Sequence, residues 1–166
     1  MSISTFIRSI FSNDLYIQIW ENRLKITALH STEVYDEIPL LAIKDDAKGR
    51  PIVQAIGNSV KSMSEKDGYK IINPFSHPRV LISDFQVAEK VLQHAFKLIH
   101  QSKYFTPSPR VVIQPMEKLE GGITGIEERA YRELCLSAGA RVVYIHTGAP
   151  LSVHNLDFEK LQNESS

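Results

Sequence analysis

Six histidines, one cysteine and a glycine-rich stretch are the residues of this 166-residue chain whose types could do chemistry. A metal site on a helix needs ligands three or four residues apart, so that they share a face. His30, His77, His94, His100, His146 and His154 never stand at that spacing from one another or from Cys135. His94 and His100 fall on one helical segment but on different faces. The histidines therefore read as surface or capping residues, and no metal ligand set is expected. Cys135, flanked by Leu134 and Leu136, reads as a small buried hydrophobe and not as a nucleophile. A single cysteine permits no internal disulfide, which fits a reducing compartment. Gly121-Gly122 and Gly125 superficially suggest a phosphate loop. However, Gly-Lys-Ser/Thr is absent, and Glu117 and Glu120 adjoin them. The stretch reads as a flexible loop, with partner contact as the alternative.

The first eleven residues carry a different potential. Ile3, Phe6, Ile7, Ile10 and Phe11 recur at helical spacing and leave Ser2, Ser4, Thr5, Arg8 and Ser9 on the other side. A helix this short needs an apolar surface to fold on. That surface is either the chain's own core or a membrane interface, where Arg8 is the one charge that would attract anionic lipid. Under the membrane reading the chain co-sediments weakly with anionic liposomes, and changing Phe6 and Ile7 together to aspartate abolishes it. Equal sedimentation of the doubly changed protein would assign the segment to the core.

Composition sets the class. Nineteen basic residues balance nineteen acidic ones, so no whole-molecule field draws the chain to nucleic acid. No apolar run is long enough to span a bilayer. The start lacks both the basic flank and the long apolar core of a signal peptide. The expected location is the cytoplasm, with peripheral attachment to a membrane through the first eleven residues as an option. Only 162–166 (Q-N-E-S-S) reads as disordered.

The elements follow from periodicity. Ser83 to Ile113 is the most legible stretch. Phe85, Ala88, Val91, Leu92, Ala95, Phe96 and Ile99 form one helical face. Ser83 and Gln86 have capping-box spacing, with Asp84 in the first turn. The prolines of Thr106-Pro107-Ser108-Pro109 forbid continuation, and Arg110 to Ile113 reads as a buried strand. Before it, Leu15–Trp20 and Leu24–Leu29 read as a hairpin turning at Glu21-Asn22-Arg23, and Ile38–Ile43 and Ile52–Ile56 as two more strands. Asn58–Glu65 reads as a short helix, Asp67-Gly68 as a turn and Tyr69–Ile72 as an extended piece. After it, Thr124 and Glu127 have capping-box spacing for a second helix. There Ile126, Ala130, Tyr131 and Leu134 share a face, and Ala138-Gly139 stops it. Arg141–Ile145 is the last strand, and Leu151–Leu161 reads as a short helix with Leu156, Phe158 and Leu161 as contacts. A hairpin followed by strands separated by helices predicts an α/β fold with a mixed sheet and helices packed on it.

Several of these stretches, in the same order, resemble bacterial actin homologues of the MreB and Mbl type. They are Phe11-Ser12-Asn13-Asp14-Leu15, the run from Val87 to His100 with Pro107-Ser108-Pro109-Arg110-Val111, Glu127 to Glu133, and Ala138-Gly139-Ala140-Arg141. The resemblance implies the first, ribonuclease-H-like domain of an actin fold. Residues 1–11 would be an N-terminal amphipathic segment, 12–150 the actin-like domain with a small inserted subdomain at about 33–73, and 151–166 a C-terminal tail.

In that family the turn between the first two strands holds phosphate through an aspartate, a leucine, a glycine and a small hydroxyl residue. Glycine admits the phosphate to backbone amides, and the carboxylate positions metal-bound water. Alignment from Phe11 puts Gln18, Ile19, Trp20 and Glu21 at those positions. An indole then fills the phosphate space, and Glu21 would repel the ligand. The family's glutamate-proline pair after the last strand is replaced by His146-Thr147-Gly148-Ala149-Pro150, which has no carboxylate. The second half of the family chain, with its other phosphate loop and adenosine pocket, has no counterpart. The expectation is a protein with no cofactor, no catalytic residues and no ATPase activity, in which Trp20 fills the vacated space as core, with a partner-anchoring place at the rim of a cleft as the alternative. It would bind a full-length bacterial actin homologue or that filament's membrane partners, in cell-shape or wall morphogenesis. A scaffold in a pilus or secretion assembly, a residual nucleotide-dependent switch and a remnant without a role are the alternatives.

Overall fold

The structure, a computed structural model, describes residues 14–29, 31–101 and 107–153, together with 156, 158 and 161. Ile3, Phe6, Ile7, Arg8, Ile10 and Phe11 lie outside the described residues, as do His30 and His154.

Five strands form the main sheet in the order β3-β2-β1-β7-β8. The hairpin is β1 (Leu15–Trp20) and β2 (Arg23–Ala28), antiparallel, with Ile17 opposite Ile26. Its turn is two residues, one fewer than the sequence suggests. β3 (Val34–Glu37) extends the hairpin at the edge. Parallel to β1 on its other side lies β7 (Arg110–Pro115), with Leu15 opposite Val111, and β8 (Val142–Ile145) follows parallel to β7. Central position explains composition: Leu15, Ile17 and Ile19 face the helices fully buried, while Tyr16 and Val112 are buried on the opposite face.

Two helices cover the first face. Helix α1 (Phe85–Ile99) buries Val87, Ala88, Val91, Leu92, Ala95, Phe96 and Ile99. Its cap is Asp84, whose carboxylate accepts from the Val87 amide at 3.0 Å. The expected Ser83–Gln86 box does not form, because the Ser83 hydroxyl donates instead to the Pro74 carbonyl at 2.8 Å. In α2 (Gly125–Ser137) both halves of the Thr124–Glu127 capping box are present. Tyr131, Leu134 and Cys135 are buried there, whereas Ile126 is 84% exposed. Ile126 stands five residues before Tyr131, about 140° round the helix from it, so the expected common face does not include it. Gly139, at φ +115°, ends the helix in a conformation that disfavours side chains, and Ala140 N–H returns to the Cys135 carbonyl at 3.0 Å.

The inserted sheet is β5-β4-β6: β4 (Leu41–Asp45), β5 (Pro51–Ile56) and β6 (Lys70–Ile72). Because β3 belongs to the main sheet, this subdomain is narrower than the expected 33–73. Ile43, Ile56 and Ile72 pack against the main core. The expected helix over Asn58–Glu65 is two 3-10 turns, Gly57–Ser62 and Glu65–Asp67. The β4–β5 loop is closed by Asp46, which accepts from the Lys48 and Arg50 amides and from Arg50 Nε. These bonds, the Arg50 amide first, hold its carboxyl below the usual carboxylate range.

On the second face of the main sheet, the segment after β8 does the covering. Leu151, Val153, Leu156, Phe158 and Leu161 pack with Leu29 and Tyr144 against Tyr16 and Val112. A buried polar network fixes the segment in place. The Tyr16 hydroxyl donates to Gln114 Oε1 and accepts from the Leu151 amide at 3.1 Å, and Gln114 Nε2 donates to the Gly148 carbonyl at 2.7 Å. Residues expected to form a tail thus complete a core layer.

Burial pushes the Cys135 thiol and the Tyr35 and Tyr131 phenols well above their ordinary values. Groups whose folded pKa is raised stabilise fully below their unfolded pKa and lose that contribution as pH climbs above it. Stability should therefore decline above a pH of about 9. In the native protein Cys135 should resist a disulfide reagent at pH 8, and one thiol per chain should react after denaturation. Stoichiometric reaction under native conditions within minutes would refute the burial.

Candidate functional site

The β1–β2 turn is where the sequence places a degenerate phosphate site, and each of the four positions is accounted for. Ile19 is fully buried in the core, and its carbonyl accepts from the Met116 amide at 2.9 Å. Gln18 is half-buried, with Nε2 3.7 Å from Met116 Sδ. Trp20 is half-buried and not the core residue expected: the Arg23 guanidinium lies over its ring at 5.1 Å. Arg23 in turn forks onto Asp36 at 2.7 and 2.6 Å, which holds the Asp36 carboxyl low. The indole is the last residue of β1, directly before the two-residue turn.

Glu21 decides the chemistry of the turn. Its amide donates to Glu117 Oε2 at 2.6 Å, its carbonyl accepts from Asn73 Nδ2 at 2.9 Å, and its carboxylate pairs with Lys118 Nζ at 2.9 Å. Every polar group of Glu21 is thus engaged by the chain itself. A carboxylate, that of Glu117, takes the turn amide that a phosphate oxygen would otherwise seek. Loop Met116–Thr124 brings Glu117 and Lys118 there. Lys118 also donates to the Phe75 and His77 carbonyls at 3.0 and 2.6 Å, using all three ammonium protons. Lys118 sits at φ +60°, the one non-glycine residue with positive φ among the described residues. Sequence reasoning read this stretch as a glycine loop and missed both residues. Nothing in the order Met116-Glu117-Lys118 marks a long-range partner.

After β8, His146 Nε2 lies 2.9 Å from the Ala149 carbonyl, and its ring packs so closely on Gly148 that a Cβ there would stand 3.0 Å from it. The loop's own residues, His146-Thr147-Gly148-Ala149-Pro150, include no carboxylate. Among the described residues no group of three or more His, Cys, Asp or Glu side chains could hold a metal ion, and no helix is long and apolar enough to cross a membrane.

A partly buried ion pair lies at the opposite end of β1. Asp14, 1% exposed, accepts both Arg110 Nε and Nη2, at 2.9 and 2.6 Å. The same guanidinium lies 4.5 Å over the Phe158 ring. It joins the starts of β1 and β7 to the segment covering the second face.

Comparison with known proteins accords with this architecture. Cell shape-determining protein MreB of Escherichia coli strain K12 is 36% identical over 141 residues, covering 83% of this chain and 39% of that protein. MreB of Haemophilus influenzae is 34% identical over 140 residues, covering 84% and 39%. The chain thus spans about two-fifths of the length of the curated relatives it matches. Among solved structures, MreB5 of Spiroplasma citri bound to ADP superposes with a TM-score of 0.58 at 21% identity, over 81% of this chain and 38% of that one. The MamK double helical filament gives 0.57 at 13% identity, over 83% and 42%. At those identities the structural likeness establishes the fold, that of a first actin-like domain. The MreB/Mbl protein family profile matches residues 13–151, and the chain belongs to that family.

Proposed function

We propose that this chain is a non-catalytic MreB-like protein that acts on or with bacterial actin filaments at the inner membrane, in cell-shape or wall morphogenesis. The observation that carries the reading is the closure of the β1–β2 turn. The amide, carbonyl and carboxylate of Glu21 are all held by Glu117, Asn73 and Lys118. With Trp20 and Glu21 in place of a glycine and a hydroxyl, the turn lacks the residue types with which the family holds phosphate, and its Glu21 amide is already taken. The carboxylate-free loop after β8 supports the same conclusion. Without nucleotide chemistry, what the fold retains is surface. Ile126, 84% exposed, and Phe85, 37% exposed, rim an apolar groove of about 280 Å³ with Val80, Ile82 and Ala130. An exposed apolar patch of that kind marks a contact site.

Calorimetry should detect no binding of Mg-ATP. At stoichiometric amounts the protein should change the length or pelleted fraction of filaments of a full-length MreB. Ile126→Asp, which touches no core, should remove the effect while leaving the melting temperature in place. Unchanged assembly with the wild-type chain would overturn the reading.

A further inference from the structure

We propose that Lys118 is a permanent clamp that holds the β1–β2 turn to the segment leaving the inserted sheet, so that this junction is set by the protein alone and does not respond to nucleotide. The inference rests on the reading of the turn as nucleotide-free and extends it to regulation. Three chain segments that are remote in sequence meet at one ammonium. They are Glu21 in the hairpin turn, the Phe75 and His77 carbonyls just past β6, and Lys118 itself just past β7. The Lys118 side chain is only 14% exposed, while its Glu21 partner reaches solvent at 39%. Asn73 closes the arrangement from the β6 side. It donates to the Glu21 carbonyl at 2.9 Å and accepts from the Phe75 amide at 2.9 Å through its own side chain. Pro74 continues it toward α1, because its carbonyl accepts from the Ser83 amide at 2.7 Å and from the Ser83 hydroxyl.

The backbone of Lys118 adds an independent sign. A lysine at φ +60° adopts the left-handed conformation against its preference, and such a conformation persists only where its surroundings demand it. Glycine would be the unstrained choice for the turn, and Gly121 and Gly122 show that the loop has glycines at such φ values nearby. Retaining lysine at this position is intelligible if its ammonium is what the position is for. The next residue back uses the same turn, since Glu117 accepts the Glu21 amide. Two consecutive side chains therefore grip one residue, one through its backbone and one through its carboxylate.

Hydrogen exchange at the Glu21, Phe75 and Ser83 amides tests the clamp. In the wild-type chain all three should be protected, and Mg-ATP should leave their rates unchanged. Lys118→Met should speed exchange at all three by roughly tenfold or more, while the α1 and β7 amides stay protected. Should that variant fold poorly, Lys118→Gly removes the ammonium and relieves the left-handed strain together, and the same acceleration is expected. Unaltered protection at these amides in a folded variant of either kind would overturn the clamp. Rates in the wild-type chain that change with Mg-ATP would overturn the nucleotide-free reading and, with it, the permanence of the junction. Accelerated exchange in the variants alongside ATP-insensitive wild-type rates supports both.

Discussion

Replacing Arg110 by methionine is expected to cost about 2–4 kcal/mol, a large part of the 5–15 kcal/mol that holds a domain of this size together. Methionine preserves much of the aliphatic stem and removes the fork that offsets the burial of Asp14. It also removes the cation over Phe158 and so loosens the second-face layer. The wild-type pair keeps the Asp14 carboxylate out of water at the junction of β1 and β7 while Arg110 stays partly exposed, a place where a buried carboxylate without its arginine is costly and a well-packed apolar pair is often tolerated. Asp14→Leu combined with Arg110→Met should therefore be less damaging than Arg110→Met alone. Urea midpoints for the three proteins decide the matter. A single-variant midpoint indistinguishable from wild type would show that the pair contributes nothing net.

The second large effect is expected at Phe75. Its side chain is fully buried in the main core although it lies in a loop, and its carbonyl holds Lys118. Phe75→Ala should cost about 3–5 kcal/mol, the sum of lost apolar burial and the cavity left behind. Because the ring anchors the segment that carries the two clamp carbonyls, loss of protection at Glu21 should accompany loss of global stability. Phe75→Leu, which fills most of the volume, should recover most of both. Melting temperature and amide exchange together separate this from a purely local loosening. An alanine variant that melts within a degree or two of wild type would contradict the packing.

Phe75 also shows why part of this molecule could not be read from its sequence. Elements announced by period were legible. The α1 face, the hairpin, the Thr124–Glu127 box, the Gly139 stop and the buried Cys135 each leave a signal within a few residues of sequence. Phe75 has no period to betray it, standing between Pro74 and Ser76 outside any strand or helix. β3 escaped for a related reason: in Val34-Tyr35-Asp36-Glu37 only Tyr35 is buried, so an edge strand gives a single apolar signal. The Ser83 cap failed because a remote carbonyl, Pro74, competed for its hydroxyl. At the site, the resemblance pointed to the β1–β2 turn and to Gln18, Ile19, Trp20 and Glu21. Glu117 and Lys118 were not legible, because an ion pair across almost a hundred residues leaves no local trace. Ile126 misled in the other direction, being apolar, helical and turned outward.

The placement of β1 has a consequence for the order in which the protein is made. Its first neighbour, β2, follows directly, but its other neighbour is β7, and Leu15 waits for Val111. A ribosome releases the hairpin long before that partner exists, so the nascent chain carries an unpaired, largely apolar strand edge until β7 emerges. The inserted sheet emerges in that interval and can pair within itself, since β4, β5 and β6 need only each other. Closure of the main sheet, and with it the Tyr16 contact to Leu151, comes last. Folding should therefore be slow for a chain of this length, and the hairpin edge is where a chaperone would have to hold it.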